Sequence, residues 1–412
     1  MTGAARALVV GAGLGGLRAA EALRGAGFDG ELVVLGEEDW APYNRPPLSK
    51  EALAGELDHE RLAFRVRREA ADITWRHGVR AVAADLDGRT VVLADGERLG
   101  WDVLVAATGM RARRLEVPGP PPSAAAGRHV VRTLDDAIAL RVALAPGARV
   151  VVLGAGFIGC EVAASARGLG CEVTCVALDE VPMQRPLGRV LGAELRRRHE
   201  MRGVAFRLGV TVAAFLGDDV VEGVELGDGT QVPADVVVEA VGTSANVEWL
   251  AGNGLDLADG VRTDAALRPL RDGAPLDGVA VVGDIARFPN TRFDDDAHRV
   301  EHWSLPTDSG RRAGEVLAAY LAGRSYDEVV AREWAPLPSF WSDQYDVHLQ
   351  SFGYPGLADP DGAVLLEGDL GAECVVGYRR GDDLVGVVGL GMMRVLLGYR
   401  ERLGRGRAGV SA

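Results

Sequence analysis

Long apolar runs, basic blocks and cysteine pairs are all missing from this 412-residue chain. No stretch reaches the roughly 20 apolar residues that a membrane span needs. Met1 to Gly16 leads straight into an apolar strand and a glycine loop, without the charged region and cleavage site of a secretion signal, so a cytoplasmic location is expected. A net charge of −14 would repel a phosphate backbone, which argues against nucleic acid as a partner. Of the four cysteines, Cys171 and Cys175 stand four apart in an expected strand. At ~3.3 Å per residue that is about 13 Å, beyond disulfide reach. With no CxxC and no zinc spacing, no metal site is expected. Lysine is scarcest of all: 44 of the 45 basic residues are arginine, and the other is Lys50. Either Lys50 is an incidental surface residue, or the chain needs there a compact ammonium that arginine cannot imitate.

What the chain does have is glycine, 55 residues of it, within a composition of 48% hydrophobic and 25% charged residues. Such a balance describes a globular protein, and the length predicts two to four domains. The apolar run Ala7 to Val10 is followed by Gly11-Ala-Gly13-Leu14-Gly15-Gly16, an amphipathic stretch to Arg24, a stop at Gly27 and a second apolar run from Leu32 to Leu35. Residues 148 to 177 repeat that order: Val150 to Leu153, then Gly154-Ala-Gly156-Phe157-Ile158-Gly159, a helical stretch to Arg167, Gly170, and Val173 to Val176. A single GxGxxG is weak evidence. Here each copy follows a strand and opens a helix, the arrangement that presents backbone N–H groups and a positive helix end to a pyrophosphate.

Glu37 lies about 20 residues past Gly16, where a carboxylate can accept hydrogen bonds from adenosine ribose hydroxyls. The matching strand end of the second copy is Ala177, and the nearest acids are Asp179 and Glu180, with no arginine before Arg185. These acids disfavour a 2′-phosphate, so NADH is preferred to NADPH. Two dinucleotide units in one chain imply two cofactors, most economically a nicotinamide and a flavin.

Asp95-Gly96 and Asp228-Gly229 close short β-like runs and predict hairpins. Pro118 to Pro122 reads as a linker, and a return crossing is expected near Gly242 to Asn246. From about Tyr326 an aromatic cluster precedes further β-like runs, at Val364 to Leu366, Glu373 to Tyr378 and Leu384 to Val388, and reads as a third, α+β domain.

The ordered motifs Gly11 to Gly16, Arg45-Pro-Pro-Leu-Ser-Lys50, Ala107-Thr108-Gly109, Arg132-Thr-Leu, Gly154 to Glu161, Val282-Gly-Asp284, Glu301-His-Trp303 and Phe340-Trp-Ser-Asp-Gln-Tyr345 span nearly the whole chain. Together they resemble the FAD-dependent ferredoxin reductases of oxygenase systems. The resemblance implies a glutathione-reductase-type α/β fold with two Rossmann-like nucleotide-binding domains and a C-terminal α+β domain. The expected segments are 1–113 and 244–325 for FAD, 114–243 for NAD and 326–412 for a C-terminal interface domain. It also implies FAD contacts from Gly11, Gly13, Leu14, Gly15, Gly16, Glu37, Arg45, Lys50, Val82, Thr108, Gly109, Arg132, Asp284 and Trp303. NAD contacts are implied for Gly154, Gly156, Phe157, Ile158, Gly159, Glu161, Asp179 and Gly242.

In the family Lys50 lies at the flavin N5 edge and Glu161 is its ion-pair partner, so these two carry the catalytic assignment; an ordinary surface salt bridge is the plainer alternative for the pair. Pro46 and Pro47 stiffen the approach to Lys50, and a cation in an early helical turn would be opposed by the helix dipole. Asp284 either meets the ribityl hydroxyls or caps a helix, and Trp303 either lies near the isoalloxazine or packs in a core. Thr307, Asp308 or Ser309 is the expected cap of a helix to Leu321, aimed at the flavin. Cys160, beside Glu161, is read as a buried inert thiol.

Related disulfide reductases pass electrons to a CxxxxC pair, and other branches use one cysteine near residue 42; residues 40 to 50 here contain none. Electrons are therefore expected to go from NADH through FAD to an external iron–sulfur ferredoxin, and on to an oxygenase, of cytochrome P-450 type by first choice. Arg292, Arg299, Arg311 and Arg312 are candidates for docking the acidic ferredoxin, and the arginine-rich tail from Arg400 to Arg407 is read as mobile. Two alternatives share the scaffold: an interaction flavoprotein like apoptosis-inducing factor, and an NADH oxidase or nitrite reductase subunit.

Overall fold

A computed structural model of the chain describes residues 5–55, 58–323 and 326–404. Met1 at the start of the leader reading, and residues 405–407 of the arginine-rich tail, lie outside them. Packing divides the chain into two units. One comprises Met1–Asn44, His59–Arg111 and Ala245–Ser339, and the other Arg45–Asp58, Ala112–Ser244 and Phe340–Ala412.

The first unit is built on a parallel sheet in the order Val279–Val281, Val103–Ala106, Arg6–Val10, Glu31–Leu35, Thr74–Arg76. Its central strands are continuous apolar runs because both faces are covered, and Ala7, Leu8, Val9 and Val10 are all buried. Strand order reverses at Arg6–Val10, so the loop after that strand opens at a topological switch point, where α/β sheets bind ligands.

Helix Leu14–Gly25 follows and packs against Ser304–Ala322. The approach is close: a Cβ at Gly310 would fall 2.6 Å from the Gly15 carbonyl oxygen, and one at Gly314 would fall 2.4 Å from Ala22 Cβ. Thr307, Asp308 and Ser309 do not cap this helix. It begins a turn earlier, at Ser304, with Trp303 as a cap whose side chain makes no capping bond to the helix. Pro306 is tolerated in that first turn because its missing N–H would have had no intrahelical acceptor. Ser309 instead donates to Leu305 O at 2.5 Å and accepts from Gly283 N at 3.0 Å.

The second unit carries another parallel sheet, ordered Val204–Leu208, Glu172–Ala177, Arg149–Leu153, Val236–Glu239, Arg128–His129. An antiparallel sheet of Val347–Gly353, Asp383–Leu390, Cys374–Arg380 and Ala363–Gly368, with Ser339–Gln344 at its edge, completes it. Of the three runs read from sequence in this sheet, Val364 to Leu366 and Leu384 to Val388 fall inside its strands, and Glu373 to Tyr378 begins one residue before Cys374–Arg380. Both Asp-Gly hairpins form, as Thr90–Leu93 with Arg98–Gly100 and Gly223–Leu226 with Gln231–Pro233.

The proline-rich stretch is not a loose linker. Pro118 O accepts from Phe215 N at 2.8 Å, Pro120 O from Arg128 Nη1 at 2.8 Å, and a Cβ at Gly119 would strike the Phe215 carbonyl oxygen at 2.5 Å. Among the described residues no helix is long and apolar enough to cross a membrane.

Candidate functional site

The two glycine loops have the same internal geometry. Gly11 has φ +117°, and a Cβ there would lie 2.1 Å from the Ala107 carbonyl oxygen; Gly154 has φ +96°, with the Ala240 oxygen at 2.2 Å. Neither position admits a side chain. The last glycines close the turn: a Cβ at Gly16 would be 1.9 Å from Gly11 O, and one at Gly159 would be 2.0 Å from Gly154 O. The middle glycines differ, since a Cβ at Gly13 or Gly156 would meet no protein atom within 4 Å. Packing of the protein therefore does not require glycine at these two positions, whereas close approach by a pyrophosphate does. Gly13 and Gly156 cap helices Leu14–Gly25 and Phe157–Gly168, which have no side-chain cap bond and no acid in the first turn, so an anion meets no competing group there. By this test both loops fit a dinucleotide.

The residues expected around FAD fall in both units. In the first, Leu14 and Gly15 open the helix, and Gly15 backs onto Val282, whose γ-methyl would be 3.3 Å from an added Cβ. Gly283, at φ +68°, turns the chain so that Asp284 sits in a short 3₁₀ turn after strand Val279–Val281. Thr108 Oγ1 donates to Asn246 O at 2.5 Å and Asn246 Nδ2 returns a bond to Thr108 O at 3.1 Å, while Gly109 O accepts from Asn246 N at 2.9 Å. This ties the Thr108-Gly109 turn to the expected return crossing. Glu37 faces Arg80 at 3.6 Å on the surface, and Val82 is 46% exposed on strand Ala81–Asp85. Trp303 is 40% exposed, with Nε1 donating to Asn44 Oδ1 at 3.3 Å, so it is not a core residue.

Arg45, Lys50 and Arg132 pack in the second unit. Arg45 Nη1 donates to Arg132 O at 2.7 Å, and the next residue, Thr133, forms a capping box with Asp136. Lys50 stands at the junction of two short helical turns, closing the 3₁₀ turn Pro46–Ser49 and capping the N-terminus of helix Glu51–Ala54. The helix end there opposes a cation, and Lys50 Nζ is held instead by the Pro46 carbonyl oxygen, to which it donates at 3.0 Å.

From there Lys50 Nζ reaches Glu161 Oε2 at 2.8 Å, with the lysine side chain 11% and the glutamate 3% exposed. The pair is buried, unlike an ordinary surface salt bridge. Ser49 Oγ also donates to Oε2, and Ser342 Oγ donates to Oε1, both at 2.6 Å. Ser49 and Ser342 were not singled out from sequence, nor were Gln344 and His199, which continue the network. The signal was present in Phe340-Trp-Ser-Asp-Gln-Tyr345: period-two alternation puts Phe340, Ser342 and Gln344 on one face, and all three are buried.

Around the second loop, Phe157 meets Phe340 edge-on at 4.8 Å and Ile158 is 39% exposed. Asp179 faces Arg185 at 3.7 Å, and Glu180 pairs with Arg189 at 2.6 Å, all four near the surface. Gly242, at φ +102°, has open space on its Cβ side, and its carbonyl accepts from Arg113 N at 3.0 Å. All four cysteines are free and buried. Burial pushes the Cys160 thiol well up and Cys175 up to about 12, so neither is a ready thiolate.

Of the docking arginines, Arg312 is withdrawn: it is 4% exposed and spends Nη2 on Val330 O and Arg332 O, both at 3.1 Å. Its neighbour one step round the helix, Arg311, is exposed. Arg299 is held between Asp259 and Glu301 at 2.7 and 2.6 Å, and Arg292 donates to Ala335 O.

Duplication of the dinucleotide cradle, in a chain whose thiols are all buried, defines an oxidoreductase built around two nucleotide cofactors. Residues 5–310 match the pyridine nucleotide-disulphide oxidoreductases, the family to which the chain belongs, and residues 339–410 match the reductase C-terminal domain. Over 356 residues it is 40% identical to the ferredoxin–NAD(+) reductase component of an anthranilate 1,2-dioxygenase system from Burkholderia cepacia, covering 85% of this chain and 82% of that protein. The fold is similar to putidaredoxin reductase in its covalent complex with putidaredoxin, with TM-score 0.87, 30% identity and coverage of 98% and 93% of the two chains. It is also similar to a ferredoxin reductase for the CYP199A2 system of Rhodopseudomonas palustris, with TM-score 0.85, 33% identity and coverage of 97% and 94%.

Proposed function

We propose that the protein is an FAD-dependent NADH:ferredoxin oxidoreductase, carrying electrons from NADH to an iron–sulfur ferredoxin that supplies an oxygenase. The duplicated cradle carries this reading, with space left open at Gly13 and at Gly156. The first loop takes FAD, with Glu37 on the adenosine ribose, Thr108 and Gly109 forming a wall, and Asp284 and Trp303 at the flavin end. The second takes NADH, with Asp179 and Glu180 opposing a 2′-phosphate. In domain terms, 1–113 and 244–325 bind FAD, 114–243 bind NAD, and 326–412 form the interface domain. FAD, when bound, supplies the change from two-electron to one-electron transfer that a nicotinamide cannot make.

The chain's own contribution is positional and electrostatic. The loops orient the nucleotides through backbone N–H groups, Lys50 presents a cation fixed between Pro46 O and Glu161, and Glu161 balances that cation. With every cysteine buried, the electrons leave to an external acceptor. A ferredoxin partner agrees with the names of the relatives, and the exposed Arg311 is the docking contact we favour. A P-450-type monooxygenase is the terminal acceptor we favour, by likeness to the CYP199A2-system reductase.

Anaerobic stopped-flow mixing with NADH and then NADPH, followed by a [2Fe–2S] ferredoxin coupled to cytochrome c, tests the whole reading. Fast bleaching by NADH and ferredoxin-dependent cytochrome reduction are expected. Slow bleaching with a persistent charge-transfer band and NADH-dependent dimerisation would move the assignment to the interaction-flavoprotein class. Rapid turnover on oxygen without ferredoxin would move it to the oxidase class.

A further inference from the structure

Glu161 is held from a side that the proposed reaction does not use. Its Oε2 takes Lys50 and Ser49, while its Oε1 takes Ser342 Oγ at 2.6 Å. Ser342 Oγ accepts in turn from Gln344 Nε2 at 3.0 Å, and Gln344 Oε1 lies 2.8 Å from His199 Nε2. Glu161, Ser342, Gln344 and His199 are at most 3% exposed. The direction of this chain follows from donor chemistry. Gln344 gives its amide N–H to Ser342, so its oxygen can only accept, which puts the His199 proton on Nε2 and leaves Nδ1 to face Tyr345 Oη at 3.4 Å. Every bond in the series then points toward Glu161.

We propose that Ser342, Gln344 and His199 are positioning residues: a one-way hydrogen-bond chain that fixes the Glu161 carboxylate and, through it, the place of the Lys50 ammonium. A terminal carboxylate torsion is soft and broad. Pinning Oε1 decides where Oε2 lies, and Oε2 carries the lysine. A chain of buried donors meets this need without a second buried charge, which would cost more than it held. Burial favours the neutral form of His199, consistent with its place as a neutral terminal donor. Edge-on contacts with Phe206 at 6.0 Å and Tyr345 at 5.2 Å hold the ring.

The proposal rests on the reading of Lys50 as the cation serving the flavin, and the test separates the two. In the holoenzyme, the flavin midpoint potential and the rate of reduction by NADH are measured for Lys50→Met, Ser342→Ala, Gln344→Met, His199→Phe and His199→Gln, with melting temperatures alongside. The expected slowing is graded by distance along the chain: about tenfold for Ser342→Ala, about fivefold for Gln344→Met and about threefold for His199→Phe, each with a more negative potential. His199→Gln keeps a donor at the same reach and restores the rate to within about twofold. In a linear chain the inner cut silences the outer one, so Ser342→Ala/His199→Phe should match Ser342→Ala alone.

Additive effects in that double variant, or potentials unmoved in the three chain variants while Lys50→Met shifts its own, overturn the chain. A potential unmoved by Lys50→Met itself overturns the reading of Lys50 on which the chain rests. Should His199→Phe not fold, Ser342→Ala and Gln344→Met decide by the same criteria.

Discussion

Set side by side, the two glycine loops are near copies in backbone and strangers in side chain. In both, the first glycine is forced by a positive φ against a neighbouring carbonyl, the last by contact with the first, and the middle one by nothing within the protein. Two residues beyond each loop the likeness ends. Arg18 turns back along its own helix to Glu21 at 2.6 Å, whereas Glu161 leaves its helix for Lys50, Ser49 and Ser342. The loop is a general grip for a dinucleotide, and what distinguishes a nucleotide seat from a reaction centre lies just past it.

The widest break in the comparison should come at the middle glycines. Gly13→Val should leave a folded protein that purifies with flavin content reduced at least about tenfold, because the side chain fills space reserved for the pyrophosphate. Gly156→Val should keep its flavin and raise the KM for NADH by a similar factor. Flavin absorbance and steady-state kinetics separate the two. Flavin lost equally from both variants would end the assignment of one cofactor to each loop.

Next in size is the buried pair. Lys50→Met leaves Glu161 buried without its cation and should destabilise the protein by about 3–5 kcal/mol in chemical denaturation, with Lys50→Met/Glu161→Gln recovering much of the loss. Arg18→Met, the matching change beside the first loop, should cost less, about 1–3 kcal/mol, because the Glu21 carboxylate, though also buried, keeps Arg67 N at 2.9 Å and Arg67 Nε at 3.5 Å. Equal costs would erase the distinction between seat and reaction centre.

The first unit has a half-buried titratable group of its own. Desolvation lowers the pKa of His302 to about 4 from 6.5. The folded value lies below the unfolded one, so between these limits the unfolded state binds the extra proton. Stability should then fall as pH drops from 6.5, by about 1.4 kcal/mol per unit, and the loss should level off below about 4. Denaturation curves at pH 7.5, 6.5 and 5.5 for His302→Gln should be flatter than for the parent by up to that slope. In the second unit His199, lowered chiefly by desolvation, acts in the same direction, so the pH dependence left in His302→Gln should shrink further in His199→Gln/His302→Gln.

A smaller difference separates the strand ends after the loops. Glu37 is a carboxylate two residues beyond its strand; at the other site Ala177 ends the strand, and the acids come later, as Asp179 and Glu180 facing Arg185 and Arg189. Asp179→Ala/Glu180→Ala should free both arginines for a 2′-phosphate and raise kcat/KM for NADPH about tenfold, the worth of about 1.4 kcal/mol. An unchanged NADPH:NADH ratio would mean that other residues choose the nucleotide.

Legibility from sequence follows the same division. Both loops could be read because their glycine spacing lies in one continuous strand–loop–helix stretch, and the strands because doubly buried strands are continuous apolar runs. Lys50 was conspicuous through the absence of every other lysine. Ser342, Gln344 and His199 were not legible as a set, since they meet only when strand Ser339–Gln344 lies beside helix residues far away in sequence. Its hairpin also escaped notice because the turn at Tyr345 takes φ +58° without a glycine. The start of helix Ser304–Ala322 was misplaced because Thr307, Asp308 and Ser309 are good caps by type, while Pro306 marked the true first turn.

The smallest effect tests what lies outside both loops. Arg311 and Arg312 are adjacent in one helix and cannot share a face; Arg312 is turned inward onto two carbonyls, and Arg311 is left at the surface beside Asp308. A rim charge of this kind steers an acidic partner more than it holds it, so its worth is modest and salt-dependent. Arg311→Glu should therefore raise the KM for ferredoxin about three- to tenfold at low ionic strength, with the difference shrinking as salt approaches 0.15 M, where screening sets in over about 8 Å. The rate of flavin reduction by NADH should not change, because neither loop is touched. Arg312→Met offers the contrast: it should lower stability by removing the donor that the Val330 and Arg332 carbonyls share, and leave the salt dependence of ferredoxin turnover as it was. If Arg311→Glu leaves the ferredoxin KM unmoved at low salt, docking belongs to another surface and the helix presents no partner site.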